Sequence, residues 1–180
     1  VQGGPLPIGP SGAQAASGAR PQAPPNRLFV NQGRARFVDS TAESGAAADR
    51  GYGMGVAVAD LNGDGWSDLF LTNLGPDRLC LAEPDHAPRF QAGPELAYEP
   101  NSTAAAGEWS TAAGCADFDL DGDLDLFVCS YVDWHPEREP GCRSGSLRDY
   151  CDVKRYPGLP DHVFANDGRG QFREVSGAWG

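Results

Sequence analysis

Residues 59–71 read ADLNGDGWSDLFL, and residues 116–128 read ADFDLDGDLDLFV. Aligned without gaps, both stretches carry an oxygen-bearing side chain at loop positions 1, 3, 5 and 9 and a glycine at position 6. Alternating residues of a tight loop can direct their oxygens inward, and Ca²⁺ binds about 6–8 oxygens. The spacing therefore predicts two Ca²⁺ sites, with Gly65 and Gly122 at bends that need a positive φ. The predicted ligands are Asp60, Asn62, Asp64, the carbonyl of Trp66 and Asp68, then Asp117, Asp119, Asp121, the carbonyl of Asp123 and Asp125.

The residues around the loops indicate which kind of calcium loop this is. An EF-hand would place a glutamate at position 12 and a helix on each side, but position 12 is Leu71 in one copy and Val128 in the other. Short β-branched and aromatic runs flank both loops, so each loop is predicted to join two strands of a hairpin. A metal-free turn is the alternative, because Asp, Asn and Gly are ordinary turn residues. Without a cation, however, the clustered carboxylates would repel one another.

A second element is repeated around the loops. Residues 26–40 (NRLFVNQGRARFVDS) match residues 161–175 (DHVFANDGRGQFREV), and residues 77–91 form a degenerate copy. In each copy an apolar run turns through Asn, Gly or Pro and returns to a phenylalanine, which is typical of a β-hairpin. We therefore predict an all-β fold: an incomplete β-propeller of about two to three four-stranded blades, with calcium-binding hairpin loops.

The order of these elements predicts the domain organisation. Residues 1–25 contain six Pro, five Gly and five Ala with one charged residue, a composition typical of a flexible segment. Residues 26–76 form a first repeat of hairpin plus calcium loop, and residues 77–130 form a second. A cysteine-containing insertion follows at 131–160, and residues 161–180 begin a third repeat with its opening hairpin.

The acidic loops, the preceding GYGMGVAVAD at 51–60 and the hairpins with an FxNxGxxxF pattern resemble FG-GAP/VCBS-type repeats. The stretch from SYVDWHPE to YPGLPDHVFANDG, within 130–168, is most similar to bacterial relatives of cartilage acidic protein. This resemblance covers residues 26–176 and implies a Ca²⁺-binding β-propeller that is exported. It also implies that the loop Asp and Asn side chains are the metal ligands. Closed propellers have about 4–8 blades, so we expect this chain to be a fragment or to have its sheet edges covered.

Charge and hydropathy exclude several classes of protein. The net charge is −11, and the segments 60–68 and 117–125 contain eight aspartates and no basic residue. Such a surface argues against nucleic acid, which binds basic patches. No apolar run approaches the ~20 residues of a transmembrane helix. The expected partners are other protein chains or the rest of the same propeller, with association to a membrane-bound complex as one option.

The cysteines indicate in which cellular compartment the protein is located. The chain has five, so at least one is unpaired. Cys142 and Cys151 bracket a short loop and are predicted to form a disulfide, whereas Cys115 and Cys129 either pair across the second acidic hairpin or are small core residues. Together with loops suited to external Ca²⁺, this predicts an extracytoplasmic protein: periplasmic, cell-surface or secreted. Asn101 begins a glycosylation sequon, which has meaning only in a eukaryotic secretory pathway.

The sequence contains none of the common catalytic motifs. His86, His135 and His162 lie in loop-like segments with no GxSxG or HExxH context. We therefore predict a non-enzymatic, calcium-binding interaction module that acts in adhesion or as an accessory subunit. The alternative is the scaffold portion of a propeller-containing enzyme whose catalytic residues lie outside these residues.

Overall fold

Antiparallel β-strands account for most of the regular structure. A computed structural model describes residues 25–46, 52–85, 88–97, 109–135, 138, 141–149 and 151–179. The predictions for residues 1–24, His86 and Asn101 lie outside these ranges. The strands are β1 (Phe29–Asn31), β2 (Phe37–Asp39), β3 (Tyr52–Ala59), β4 (Asp68–Leu74), β5 (Arg78–Ala82), β6 (Phe90–Ala92), β7 (Ser110–Ala116), β8 (Asp125–Ser130), β9 (Arg143–Ser144), β10 (Leu147–Arg148), β11 (His162–Asn166) and β12 (Phe172–Glu174).

Helical structure is limited to short segments. In the described ranges these are α1 (Thr41–Ser44), α2 (Ser176–Trp179) and a 3₁₀ turn at Val153–Arg155. None of the described helices has the length and apolar character needed to span a bilayer. The all-β part of the fold prediction is therefore confirmed.

Strands β3 to β6 form the first four-stranded sheet, and they pair in chain order as an antiparallel meander. The first acidic loop joins β3 to β4, with Ala59 opposite Asp68 in the register. Strands β5 and β6 complete the sheet through pairs such as Leu69 with Cys80 and Cys80 with Ala92. Four-stranded antiparallel sheets are the blades of β-propellers.

Strands β7, β8, β11 and β12 form the second four-stranded sheet. The second acidic loop joins β7 to β8, with Ala116 opposite Asp125, so both acidic loops occupy the same place in their sheets. The segment between β8 and β11 contains the β9–β10 hairpin and a disulfide between Cys142 and Cys151, as predicted. Two such sheets are seen in the described ranges, and these sheets do not close a ring.

The sheets group the hairpins differently from the sequence repeats. From the sequence we predict that a hairpin of the FxNxG type (26–40), or its degenerate copy (77–91), comes before an acidic loop in each unit of four strands, as in 26–76 and 77–130. In the structure each acidic-loop hairpin pairs with the hairpin that follows it, so β3–β4 joins β5–β6, and β7–β8 joins β11–β12 across the insertion. The β1–β2 hairpin forms a separate two-stranded sheet. The two kinds of hairpin alternate along the chain, so the sequence alone does not show whether a hairpin pairs with the one before it or the one after it. Only the hydrogen bonds between strands determine where each sheet begins and ends.

The hydrophobic core lies between the two four-stranded sheets. Both sheets contribute to it, and its buried residues are Ala57, Leu61, Phe70, Leu79, Leu126, Val128, Phe164 and Phe172. Strand β3 packs closely on β7: a β-carbon added at Gly55 would lie 2.7 Å from the carbonyl oxygen of Thr111. The glycine-rich start of β3 is thus a close-packed strand. This packing holds the two acidic loops side by side.

The free cysteines do not pair across the second acidic hairpin. Cys115 lies opposite Leu126, and Cys129 lies opposite Ala112. Ala112 and Cys115 are three positions apart on β7, and residues an odd number of positions apart project from opposite faces of a sheet. The side chains of Cys115 and Cys129 therefore lie on opposite faces. Burial raises the pKa of both thiols, with the Asp161 carboxylate adding to the effect at Cys129. Cys80 is a buried thiol in β5.

Candidate metal centre

The aspartate at loop position 9 ties each acidic loop to its sheet. Asp68 is fully buried; its Oδ2 accepts a hydrogen bond from the Leu61 N–H (2.9 Å), and its Oδ1 accepts one from the Ala82 N–H (2.8 Å). Asp125 is also fully buried, and it accepts hydrogen bonds from the N–H groups of Phe118 and Asn166, both at 2.9 Å. In each sheet the carboxylate therefore links loop position 2 to the end of the third strand.

The aspartate at position 1 closes each loop on itself. The Asp60 carboxylate accepts hydrogen bonds from the N–H groups of Asp64 (3.1 Å) and Gly65 (2.8 Å). The Asp117 carboxylate accepts the equivalent bonds from the N–H groups of Asp121 and Gly122, both at 3.1 Å. The two loops thus share one backbone conformation although they differ in sequence at several positions.

Positions 3 and 5 form shorter turns inside the same loops. The Oδ1 atoms of Asn62 and Asp119 accept the N–H of the residue two places on, at 3.1 and 3.2 Å. The Oδ1 atoms of Asp64 and Asp121 do the same, with the N–H groups of Trp66 (2.8 Å) and Asp123 (2.9 Å). Backbone donors therefore fix Oδ1 of each of these four side chains, and in the second loop the Oδ2 atoms of Asp119 and Asp121 are the second oxygens of these carboxylates.

The glycines at position 6 adopt the predicted backbone conformation. Gly65 has φ +87° and Gly122 has φ +100°. Position 4 also has a positive φ in both loops, at Gly63 (+72°) and at Leu120 (+63°). Leu120 is strained there, because a β-carbon crowds the backbone in the left-handed region. Its side chain is 85% exposed, so contacts with the described residues do little to offset the strain.

Three carboxylates converge in the second loop. One oxygen each from Asp117, Asp119 and Asp125 lies within 4.8 Å of the others. Partial loss of hydration, followed by the negative charge of Asp121 and then of Asp125 and Asp117, raises the pKa of Asp119. An all-oxygen, anionic donor set at this spacing suits a hard cation such as Ca²⁺. Asp121 is outside this group of three, and the Asp123 side chain lies against Gly168.

The first loop carries less negative charge. Asn62 replaces an aspartate at position 3, and its Nδ2 donates a hydrogen bond to Oδ2 of Asp64 at 3.0 Å. Burial raises the pKa of Asp68, and the N–H groups of Ala82 and Leu61 partly oppose that shift. The Asn62 amide thus reduces the repulsion between carboxylates in the first loop. The second loop has Asp119 at this position and keeps that repulsion. The two loops share geometry but differ in charge.

Asn166 contacts both loops, and the sequence did not mark it as a functional residue. Its Nδ2 donates hydrogen bonds to the carbonyl oxygens of Leu61 in the first loop and Leu124 in the second, each at 2.9 Å. The residue is 7% exposed. A pattern could have pointed to it, because the FxNxG hairpins place Asn31 and Asn166 at matching positions where the degenerate copy has Ala82.

Comparison with known proteins agrees with the repeat pattern. The family model for an FG-GAP-like repeat matches residues 15–71. Cartilage acidic protein 1 from Mus musculus is 40% identical over 105 residues, which cover 57% of this chain and 15% of that protein. The Xenopus tropicalis protein of the same name is 32% identical over 148 residues, which cover 81% of this chain and 22% of its own length.

These relatives are much longer than the chain, which spans between 15% and 22% of their length. They are animal proteins, so the resemblance to a bacterial subgroup stays a prediction. The comparisons confirm that the chain carries an FG-GAP-like repeat and is similar to cartilage acidic protein 1.

Proposed function

We propose that this chain is a calcium-stabilised, non-enzymatic interaction module of an extracytoplasmic protein. The main support is the convergence of the Asp117, Asp119 and Asp125 carboxylates at a hairpin tip, in a loop whose hydrogen bonds recur in the neighbouring sheet. The FG-GAP-like repeat and the similarity to cartilage acidic protein 1 favour the same class of protein. In this proposal calcium is a structural component of the module.

Each loop would hold one ion. The second loop would bind it through Asp117, Asp119, Asp121 and Asp125 with the Asp123 carbonyl. The first would use Asp60, Asn62, Asp64 and Asp68 with the Trp66 carbonyl. A bound Ca²⁺ supplies positive charge that offsets the carboxylate repulsion. The protein residues supply the rest: buried Asp68 and Asp125 connect each loop to the third strand of its sheet.

The insertion between β8 and β11 is the part of the surface that we assign to partner contacts. A disulfide between Cys142 and Cys151 constrains it, and it exposes large apolar side chains, including Leu147 (74% exposed) and Val153 (42%). Trp134 is 9% exposed and packs edge-on against Trp109, the residue before β7, so it anchors the insertion beside the start of that strand. The proposed partners are other protein chains or further blades of the same protein.

A disulfide and acidic calcium loops both favour a location outside the cytoplasm. Disulfides persist in oxidising compartments, and exposed loops of this kind suit the high Ca²⁺ concentration found outside cells. We assign the protein to the periplasm, the cell surface or the extracellular medium.

A second function remains a candidate because the chain spans a small part of its relatives' length. The chain would then be the scaffold of a propeller-containing enzyme with catalytic residues elsewhere. Activity measured on the complete protein, and its loss when the neighbouring regions are removed, would favour this alternative. Turnover by residues 1–180 alone would contradict both candidates.

Removal of calcium tests the proposal directly. A ligand that binds only the folded state stabilises it by about 2.7 kcal/mol per site at 100 times its Kd. We therefore expect excess chelator to lower the Tm of the complete protein by several degrees, and added Ca²⁺ to restore it. Mg²⁺ serves as the control, because it requires a tighter octahedral site. A melting curve that is the same with Ca²⁺ and with chelator would contradict a structural role for calcium.

A further inference from the structure

We propose that Asn166 couples the two acidic loops, so that an ion bound at one loop raises the affinity of the other. This inference rests on the proposed calcium binding and adds to it a residue that transmits binding between sites. No predicted ligand set includes Asn166. It lies at the end of β11, 105 positions from the Leu61 carbonyl that it binds.

The Asn166 amide uses both of its N–H bonds to bridge the loops. One donates to the carbonyl of Leu61, which sits between the proposed ligands Asp60 and Asn62. The other donates to the carbonyl of Leu124, the residue before Asp125. The Asn166 backbone N–H also donates to Oδ1 of Asp125. One buried residue therefore contacts backbone beside the ligands of both loops.

The turn that follows Asn166 fits between the same two loops. A β-carbon added at Gly168 would overlap Oδ2 of Asp123, and one added at Gly170 would lie 3.5 Å from Cβ of Asn62. On the other side, a β-carbon added at Gly63 would lie 3.4 Å from the Gly168 carbonyl oxygen. The turn therefore lies close to both loops, and at Gly168 there is no room for a side chain beside Asp123.

The expected sign of the coupling is positive. An ion that orders one loop also fixes the backbone carbonyl to which Asn166 donates, and this fixes Asn166 itself. The other loop then has less conformational entropy left to lose, so the second ion binds at a lower entropic cost. Repulsion between two bound cations opposes this effect. It is reduced by the eight aspartates of the two loops and by salt, since the Debye length is about 8 Å at physiological ionic strength.

The chain itself supplies the variants for a test. Ala82 occupies the position of Asn166 in the first sheet, and its N–H makes the equivalent bond to Asp68 at 2.8 Å, so alanine is compatible with the backbone there. Asn166→Ala should therefore fold while losing the bridge, and Asn166→Ser is a second variant that can reach at most one carbonyl. Asn31 occupies the matching position in the β1–β2 hairpin, is exposed and binds the Gly33 N–H through Oδ1. Asn31→Ala is the matched control.

The experiment measures ion affinity at the first loop with the second loop intact or blocked. Tb³⁺ is the probe, because Trp66 lies within the first loop, is 39% exposed and can sensitise its emission, whereas residues 117–125 contain no Trp or Tyr. Asp117→Asn blocks the second loop with little change in side-chain shape. All titrations use the complete protein at physiological salt, with and without the substitutions at Asn166 and Asn31.

In the parent protein and in Asn31→Ala, we expect Asp117→Asn to weaken Tb³⁺ binding at the first loop by about five-fold or more, the lower end of typical allosteric coupling. With Asn166→Ala or Asn166→Ser, the same block should change the affinity by less than about two-fold. An equal loss in every background, or no loss in the parent, would overturn the coupling while leaving calcium binding intact. If neither Tb³⁺ nor Ca²⁺ binds the parent protein, the proposed function fails as well.

Discussion

At the residue scale, the motif suggests that all loop aspartates are metal ligands, but their surroundings give them different physical roles. Asp125 is buried and satisfies two backbone N–H groups, whereas Asp119 is exposed and faces other carboxylates. We expect Asp125→Ala to lower the free energy of unfolding by about 2–4 kcal/mol with or without Ca²⁺, because it leaves two buried donors unpaired. Asp119→Ala should lower it only when Ca²⁺ is present, because without the ion the substitution also removes a charge that repels the neighbouring carboxylates.

Denaturant melts in Ca²⁺ and in chelator would measure both variants. The first loop provides a matched pair, in which Asp68→Ala should cost more than Asn62→Ala for the same reason. Equal losses at positions 3 and 9 in chelator would argue against the anchoring role of the buried aspartates.

Leu120 offers a second test at this scale, because it has the positive φ that Gly63 has in the first loop. Glycine removes a left-handed strain of about 1–2 kcal/mol but gains entropy in the unfolded state. We expect Leu120→Gly to raise the free energy of unfolding by up to about 1 kcal/mol. The reverse type of change, Gly63→Ala, should lower it by about 1 kcal/mol. Chemical denaturation would give both values, and a clear loss with Leu120→Gly would indicate a stabilising contact of the leucine side chain.

At the scale of elements, the sequence predicts local structure better than the pairing of elements. Both acidic-loop hairpins, the FxNxG hairpins and the Cys142–Cys151 disulfide follow from short stretches with strong turn and strand preferences. The joining of β8 to β11 across the insertion could not be predicted in this way. Similar hairpins can pair with a neighbour on either side, and the choice depends on long-range burial, such as that of Phe164 in the core that both sheets share.

The same limit applies to the candidate site. The spacing of Asp117, Asp119 and Asp125 within one loop could be predicted from the sequence, because nine residues of a tight turn determine it. The role of Asn166 could not, since its partners come from loops that are 105 and 42 positions away. Sequence patterns describe ligands on one loop, whereas contacts between loops depend on how the sheets pack.

The disulfide of the insertion can be tested at the scale of the element. It joins residues separated by nine positions, and the chain-entropy model gives about 2.5 kcal/mol for a closed loop of that length. We expect the double substitution Cys142→Ala/Cys151→Ala to lower the stability of the insertion by up to that amount. Proteolysis within 141–151 should become faster while Ca²⁺ affinity stays the same. A large loss of Ca²⁺ affinity would show that the insertion supports the acidic loops.

At the scale of the whole molecule, the acidic loops and the sheets form one connected structure. Asp68 and Asp125 bind the N–H groups of Ala82 and Asn166, which lie in third strands 14 and 41 positions away. Asn166 also donates hydrogen bonds to backbone carbonyls in the acidic loops of both sheets, and these two sheets share one hydrophobic core. Ion binding at a hairpin tip is therefore expected to stabilise strands that contribute no ligand.

Hydrogen exchange can measure how far this stabilisation extends. On addition of Ca²⁺, we expect the amides of Ala82 and Asn166 to exchange at least about ten-fold more slowly, which corresponds to about 1.4 kcal/mol. The Asp149 amide, which binds the Cys142 carbonyl in the insertion, is the internal control and should change little. Protection limited to residues 60–68 and 117–125 would mean that the loops bind ions without stabilising the sheets. Slower exchange at Ala82 and Asn166 but not at Asp149 would show that calcium acts through the two buried aspartates.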